Sequence, residues 1–387
     1  MLASWNWESV FSGTDDKIKS MPSISYTATL EQETAFRTGG TLEHSAVAVH
    51  SNNFDAIRLL AALLVMVSHQ LFFLGRTQPL IAGRTLGDIG VFAFFVISGY
   101  LVAESWYRDP HLVRFALRRF LRIWPALAVA TAIISFIGAF ITVLPPNTYF
   151  GHAVWHFIAG NLQLRVVYDL PGVFASSPVT AMSAVNGSWW SIPLEMRCYL
   201  YLAVLGLIGL RRRWCVVLAL AVAVFLYTRT LPGHPKASAA HNISFLCIMF
   251  FLSGVCARQF VVELLRFRAL WVSIGVLLLI GAVLSGGGDL ALSIALAPLV
   301  LVTGSLSTPW VRAASRFGDL SYGIYIYAYF VQQLSVRYWP GSHSMIASTC
   351  ASVVVTTGSA WCSWHVVEAP ALRLKPHLRR WFPDHAP

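Results

Sequence analysis

Long apolar stretches alternate with short polar connections from Phe54 almost to the end of the chain. Most of these stretches are about the length that an α-helix needs to cross a bilayer, roughly 20 residues. The pattern predicts ten transmembrane helices, at 54–74, 86–106, 116–142, 190–209, 214–229, 241–258, 269–285, 289–306, 320–338 and 345–366. The third is long enough to be tilted or to extend past the interface. We therefore predict an all-α, polytopic integral membrane protein.

Polar segments divide the chain further. Residues 1–50 are rich in Ser and Thr and contain no apolar run or basic n-region, which predicts a disordered cytoplasmic leader rather than a signal peptide. Residues 54–370 form the predicted membrane domain, and 371–387 a short basic cytoplasmic tail. The longest outward connection, 145–188, includes a stretch at 150–168 that is too polar to span. A structured rim over a pore and a plain loop both remain open for it.

Composition supports the membrane interpretation. The 387 residues are 56% hydrophobic and 12% charged, whereas soluble domains carry about 25% charged residues. Basic residues outnumber acidic ones by 28 to 17, and most lie in one set of alternate loops. The positive-inside rule then places both termini in the cytoplasm and sets these loops against anionic lipid, without a nucleic-acid partner.

Other kinds of site find no support in the sequence. Nearly all of the six cysteines lie in apolar stretches and none form a CxxC pair, so we expect buried thiols and no metal site. The chain contains no P-loop, no GxGxxG motif and no internal repeat. Soluble nucleotide-binding folds therefore have no support in the sequence.

Arg58 and His69 are ionisable residues in the first predicted span. Eleven residues turn an α-helix by about 1100°, within about 20° of three full turns, so both share one face about 16 Å apart. Ionisable groups inside a bilayer cost several kcal/mol and are usually functional. His69 is a candidate general base, with a hydrogen-bonded structural role as the alternative.

The third and fourth spans add further candidates. Arg119 and Arg122 share a helix face, and could be a positive-inside anchor or a phosphate clamp. Glu195 needs a partner other than Arg197, and a basic residue or His69 is the candidate. Glu368, in the last span, could be a solvated or salt-bridged end residue or a functional one. Ser98-Gly99 is expected to serve close helix packing.

Six motifs, in this order, resemble the membrane acyltransferase family 3, whose members O-acylate carbohydrates. They are Arg58 with His69, Phe-Phe-Val-Ile-Ser-Gly-Tyr-Leu (94–101), Arg-Arg-Phe-Leu-Arg-Ile-Trp-Pro (118–125), Trp-Ser-Ile-Pro-Leu-Glu (190–195), Asp-Leu-Ser-Tyr-Gly-Ile-Tyr-Ile-Tyr (319–327) and Glu-Ala-Pro (368–370). The resemblance covers about 54–370. One departure is Ala328, where the family often has His. The chain is also expected to lack the appended extracytoplasmic domain of some members.

The resemblance implies roles for matching residues. His69 and Glu195 are the expected catalytic residues, and Arg58, Arg119 and Arg122 the expected binding residues for acetyl-CoA or another acyl-CoA. Trp189 and Trp190 are candidates for stacking on a sugar, with interfacial anchoring as the alternative. The implied location is the bacterial inner membrane.

The predicted reaction is acyl transfer to a hydroxyl of a carbohydrate or lipid-linked glycan, with His69 acting as base or carrying the acyl group. The acceptor stays open among exopolysaccharide, lipopolysaccharide, peptidoglycan and a small lipid-linked sugar or antibiotic, as does the oligomeric state. A transporter or flippase of a lipid-linked glycan or small solute is the alternative, because it would use the same buried charges.

Overall fold

Helices account for most of the described residues. The structure is a computed structural model that describes residues 52–175, 183–231, 239–308, 318–339 and 344–383. These residues belong to one compact unit, Ser51–Pro387. The predicted leader at 1–50 lies outside the described residues and stays a prediction.

Six helices within the described ranges are long and apolar enough to cross a membrane, which supports a polytopic membrane protein. They are Phe54–Phe73, Leu86–Arg108, Leu112–Ile141, Gly187–Ile208, Asn242–Gln259 and Met345–Trp381. Three shorter apolar helices are Arg213–Thr228, Arg268–Leu284 and Asp289–Ser305. The ninth predicted span corresponds to a helix at Ser321–Tyr338 that is rich in tyrosine and glutamine. The number ten therefore stays a prediction.

The elements are numbered here along the chain. The helices are α1 (Phe54–Phe73), α2 (Leu86–Arg108), α3 (Leu112–Ile141), α4 (Pro146–Tyr149), α5 (His152–Leu162), α6 (Ser191–Ile208), α7 (Arg213–Thr228), α8 (Ala239–Gln259), α9 (Val261–Arg266), α10 (Arg268–Leu284), α11 (Asp289–Ser305), α12 (Ser321–Tyr338), α13 (Met345–Ser363), α14 (Ala369–Leu372) and α15 (Leu378–Trp381). Short 3-10 turns occupy Gly187–Trp190 and Lys375–His377, and a π-helical turn occupies Trp364–Glu368.

A small hairpin between α1 and α2 is the exception to the all-helical prediction. Strands β1 (Leu80–Ile81) and β2 (Arg84–Thr85) pair antiparallel through a two-residue turn. Both turn residues, Ala82 and Gly83, have positive φ angles, as a tight hairpin requires. Strands of two residues leave too short a pattern for sequence periodicity to detect.

Helices α2 and α8 cross at two glycines. A Cβ atom at Gly99 would collide with the backbone carbonyl of Phe251, and one at Gly254 with that of Val96. Close backbone approach at small residues is a common way for helices to associate in membranes. The packing role predicted for Gly99 is therefore confirmed.

Helix α3 is the longest uninterrupted α-helix in the described ranges, in agreement with its predicted length, and it begins four residues before the predicted start. Its 30 residues extend about 45 Å at 1.5 Å per residue, more than the hydrocarbon core of about 30 Å. The side chain of His111 caps its first turn by accepting a hydrogen bond from the Arg114 amide. Arg119 and Arg122 lie in the first half of this helix, which is longer than the hydrocarbon core.

Tyrosines of α12 fasten this helix to its neighbours. Tyr322 donates its hydroxyl hydrogen to the Ile123 carbonyl of α3 (2.9 Å). Tyr325 donates to the Ser188 carbonyl and contacts the Ser191 hydroxyl, both at 2.7 Å. These bonds hold the first turn of α12 beside α3, which determines where Asp319 lies.

The connection at 145–188 is structured over its described part. Tyr149 of α4 is buried and donates to the Ser135 carbonyl (2.7 Å). In α5, Asn161 bonds both the carbonyl and the amide of Val167, which folds the chain back after the helix. These contacts favour the structured alternative over a plain loop, while residues 176–182 lie outside the described part.

Candidate active site

Asp319 bridges two of the three predicted binding arginines. Its Oδ2 accepts hydrogen bonds from Arg122 Nη2 at 2.5 Å and from Arg58 Nη1 at 3.2 Å. Arg58 also pairs with Asp55, one turn earlier in α1, at 3.1 Å. The structure therefore brings Arg58 and Arg122, from two different helices, to one carboxylate at the start of α12.

Arg122 has two further partners. Its guanidinium lies 5.4 Å from the ring centroid of Tyr322, a cation–π contact, and its Nη1 is 3.5 Å from Glu368 Oε2. The π-helical turn at the end of α13 carries Glu368, which is only 2% exposed and accepts a hydrogen bond from Ser363. Glu368 is therefore a buried, salt-bridged residue, which was one of the two predicted alternatives.

Arg119 has a different environment. Its guanidinium faces the rings of Phe115 and Tyr199, at 6.0 and 5.8 Å from their centroids. Its Nε is buried and has no hydrogen-bond partner among the described residues. In contrast to Arg122, Arg119 forms no ion pair with a carboxylate of the described ranges.

Glu195 is held by hydroxyl groups. Its Oε1 accepts hydrogen bonds from Ser98 of α2 (2.9 Å) and from the hydroxyl of Tyr199, one turn further along α6. The Tyr199 ring is the one that Arg119 faces, so Glu195 connects to Arg119 through Tyr199. Within the described residues, these hydroxyls take the place of the predicted partner, since neither a basic residue nor His69 forms a hydrogen bond or ion pair with Glu195.

His69 lies in the last third of α1, beside α12. Its ring meets that of Tyr329 edge-on, with centroids 5.0 Å apart. Its Nδ1 is buried and lacks a hydrogen-bond partner within the described part of the chain. An imidazole nitrogen without a protein partner can accept a proton from a bound hydroxyl.

Two buried glutamines, one of them next to His69 in the chain, form a hydrogen-bond network on α1 and α12. Gln332 of α12 donates to Gln70 Oε1 (2.8 Å) and to the Met66 carbonyl (2.7 Å), and Gln70 donates to Ser348 of α13 (3.1 Å). Gln70, Gln332 and Ser348 are completely buried. Sequence reasoning missed this network, although glutamines inside predicted spans are a usable signal.

The two tryptophans before α6 differ in exposure. Trp189 is 1% exposed and donates its indole hydrogen to the Ile326 carbonyl (3.3 Å), whereas Trp190 is half-buried against the core. Trp189 thus anchors the turn to α12 in this structure. Sugar stacking by either residue stays a prediction.

The site therefore has two parts. Near Arg58, at one end of α1, Asp319 joins Arg58 to Arg122, and on α3 and α6 Tyr199 separately joins Glu195 to Arg119. His69 lies about 16 Å from Arg58, further along α1. Asp319 is the main residue to which sequence reasoning assigned no role, although it stands in one of the motifs.

The sequence was compared with known families once the membrane-crossing helices, the guanidinium groups and His69 had been located. The sequence profile described as an acyltransferase domain matches residues 51–365. The chain belongs to this family, acyltransferase 3, and is an acyltransferase.

Named relatives agree. The chain is 29% identical over 346 residues to an O-acetyl transferase of Shigella phage Sf6, covering 85% of this chain and 98% of that protein. It is 30% identical over 371 residues to Nodulation protein 10 of Rhizobium leguminosarum bv. viciae, covering 88% and 98%. It is 28% identical over 221 residues to Acyltransferase MdmB of Streptomyces mycarofaciens, covering 54% of each chain. No solved structure gives a significant match.

Proposed function

We propose that this acyltransferase moves an acetyl group, or another acyl group, from acyl-CoA to a hydroxyl of a cell-surface or secreted carbohydrate. The observation that carries the proposal is the placement of Arg58 and His69 on α1. Arg58 belongs to a group of guanidinium side chains, and His69 has an unpaired buried nitrogen about 16 Å away. The name of the phage relative, an O-acetyl transferase, supports the transferred group.

The arginines fit the phosphates of an acyl-CoA. Guanidinium groups bind phosphate through paired, charge-assisted hydrogen bonds. The Nε of Arg119 is a buried donor with no partner among the residues described, so it can donate to an incoming anion. Arg122 and Arg58 would contribute the outward parts of their guanidinium groups, since Asp319 occupies one donor of each.

His69 would act on the acceptor. As a general base, its imidazole takes the hydroxyl proton while the acceptor oxygen bonds to the acyl carbon and the carbon–sulfur bond breaks. The proton then passes from the imidazolium to the departing thiolate. A two-step route through an acyl-imidazole on His69 has the same balance, and both routes require the unpaired nitrogen. The thioester supplies the activated acyl group.

Glu195 would act on the arginine group rather than on His69. Its carboxylate, fixed by Ser98 and Tyr199, places a negative charge behind the ring that Arg119 faces. We propose that it positions Tyr199 and Arg119 for the donor. The proposed location is the bacterial inner membrane with the arginine end at the cytoplasmic side, where acyl-CoA is present.

Incorporation of label into glycan tests the proposal. Membranes containing the wild-type protein, His69→Ala or His156→Ala would receive radiolabelled acetyl-CoA together with extracted polysaccharide. His156 is exposed on α5 and serves as the matched histidine control. We expect incorporation with the wild type and His156→Ala and at least a hundredfold less with His69→Ala, as for loss of a catalytic base. Equal incorporation with His69→Ala contradicts the role of His69, and no incorporation with any acyl-CoA contradicts the function.

The acceptor can be identified in cells. Base-labile acetyl groups on exopolysaccharide, lipopolysaccharide and peptidoglycan would be compared between a strain lacking the protein and the same strain complemented with it. We expect one of these carbohydrates to lose acetyl groups and regain them on complementation. Unchanged acetylation of every carbohydrate fraction would contradict a carbohydrate acceptor.

A further inference from the structure

The segment after α13 folds back onto the first turn of α3. Arg114 donates to the Phe382 carbonyl at 2.6 Å, and Arg379 lies 4.0 Å from Asp109. Leu378 is only 2% exposed, so its side chain is part of the core. The segment therefore has a fixed position beside the arginines of α3.

Lys375 lies midway along this segment. On one side of it Glu368 Oε2 is 3.5 Å from Arg122 Nη1, and on the other side the Phe382 carbonyl accepts from Arg114, so the segment passes the stretch of α3 that carries Arg118 and Arg119. Burial disfavours the charged form of Lys375 most, and the guanidinium groups of Arg119, Arg122, Arg118 and Arg58 follow in that order. Lys375 is half-buried, and no ion pair to it occurs within the described residues.

Carboxylates compensate only part of this charge. Asp319 forms ion pairs with Arg58 and Arg122, and Glu368 also pairs with Arg122. Asp109 forms ion pairs with Arg118 and Arg114. Lys375 and Arg119 are thus the two cations of this group that have no carboxylate among the described residues.

Holding like charges together costs free energy unless an anion joins them. The C-terminal segment could have placed an uncharged residue at 375 without losing the contacts of Arg379, Leu378 or Phe382. The unbalanced pair is the arrangement expected of an anion site.

We propose that Lys375 and Arg119 together bind the phosphate groups of the acyl donor, so that the C-terminal segment forms one wall of the donor site. This inference rests on the proposed function, and it assigns the final folded segment to donor binding. Anionic lipid offers the same phosphate chemistry. The donor is favoured because the guanidinium group of Arg119 faces the ring of Tyr199, which is buried in the core and bonded to Glu195, so Arg119 is directed into the protein and away from lipid.

Direct binding of CoA tests the inference without the reaction. Purified full-length protein in phosphatidylcholine nanodiscs would be titrated with CoA by calorimetry. We expect Lys375→Gln to weaken binding about tenfold, the loss of one charge-assisted contact. Lys375→Arg should stay within about twofold of the wild type, since it keeps the charge. Arg380→Gln is the control, because Arg380 is an exposed cation of the same segment.

Several outcomes overturn the inference. An unchanged CoA affinity of Lys375→Gln contradicts the inference. If the wild type binds CoA tightly in the same experiment, the proposal that acyl-CoA is the donor still holds. A second titration adds phosphatidylglycerol to the nanodiscs. If Lys375→Gln alters only the effect of this lipid on melting, the site binds lipid and the inference is wrong. If wild-type protein transfers acetyl groups but Lys375→Gln has an unchanged KM for acetyl-CoA, the function stands and this inference fails.

Discussion

Asp319 accepts a 2.5 Å hydrogen bond from Arg122, across 197 positions of the sequence. The same carboxylate oxygen also receives Arg58. A single acidic residue just before α12 therefore joins helices α1 and α3. The consequences of its removal, and of changes at three other contacts, can be measured.

Asp319→Asn should destabilise the protein by about 3 kcal/mol, because it leaves two partly buried guanidinium groups without their shared carboxylate. Thermal unfolding in detergent measures this. Asp169→Asn, at an exposed aspartate, is the matched control. A melting temperature equal to that of the control variant would show that the bridge contributes little.

Tyr199→Phe should lower acetyl transfer about tenfold and lower the melting temperature by only a few degrees. The substitution removes the hydroxyl that donates a hydrogen bond to Glu195. A hydrogen bond to a charged acceptor typically contributes about 1.5 kcal/mol. We expect the loss mainly in the KM for acetyl-CoA, since Arg119 faces this ring. Tyr201→Phe, at a tyrosine that is 43% exposed, is the control. Identical kinetics for both variants would argue against the Glu195–Tyr199–Arg119 connection.

Asp109 should make stability depend on pH. Burial opposes ionisation, but hydrogen bonds from Arg114 and Arg118 outweigh it and hold the pKa of Asp109 below its ordinary value. The stabilisation is therefore complete above the unfolded pKa, about 3.9, and is lost as the pH falls through the lower folded pKa.

Melting temperatures of the wild type and Asp109→Asn, measured in detergent from pH 7 to pH 3, check this dependence. The wild type should be more stable at pH 7, and the difference should shrink as the pH approaches 3. A difference that is constant over the range would mean that Asp109 does not act through its charge.

Gly99→Ala should destabilise the α2–α8 crossing by about 1–3 kcal/mol, because the added methyl group meets the Phe251 carbonyl. Gly281→Ala is the matched control, since a Cβ atom there has no neighbour within 4 Å. The control should be neutral or slightly stabilising. Equal melting temperatures for the two variants would contradict a tight crossing.

Periodicity predicted the local part of this structure. The common helix of Arg58 and His69 follows from apolar spacing, and the packing role of Gly99 follows from residue size. Contacts between distant segments were beyond the sequence. Ser98, which bonds Glu195 from another helix, could not be found until the helices are placed in space. Tyr199, one turn along the same helix, was within reach of the i,i+4 spacing but was not considered. The hairpin at Leu80–Thr85 was missed because its strands are too short to show a period.

The pairing of Asp319 with Arg58 and Arg122 has a consequence for selectivity. An anion that approaches these arginines meets a counter-ion already in place, so it must displace a carboxylate or bind beside it. A ligand with a single weakly charged group gains little from such an exchange. A ligand with several phosphates can accept hydrogen bonds from several guanidinium N–H groups that Asp319 does not occupy. When this ligand leaves, Arg58 and Arg122 still have Asp319 as their counter-ion.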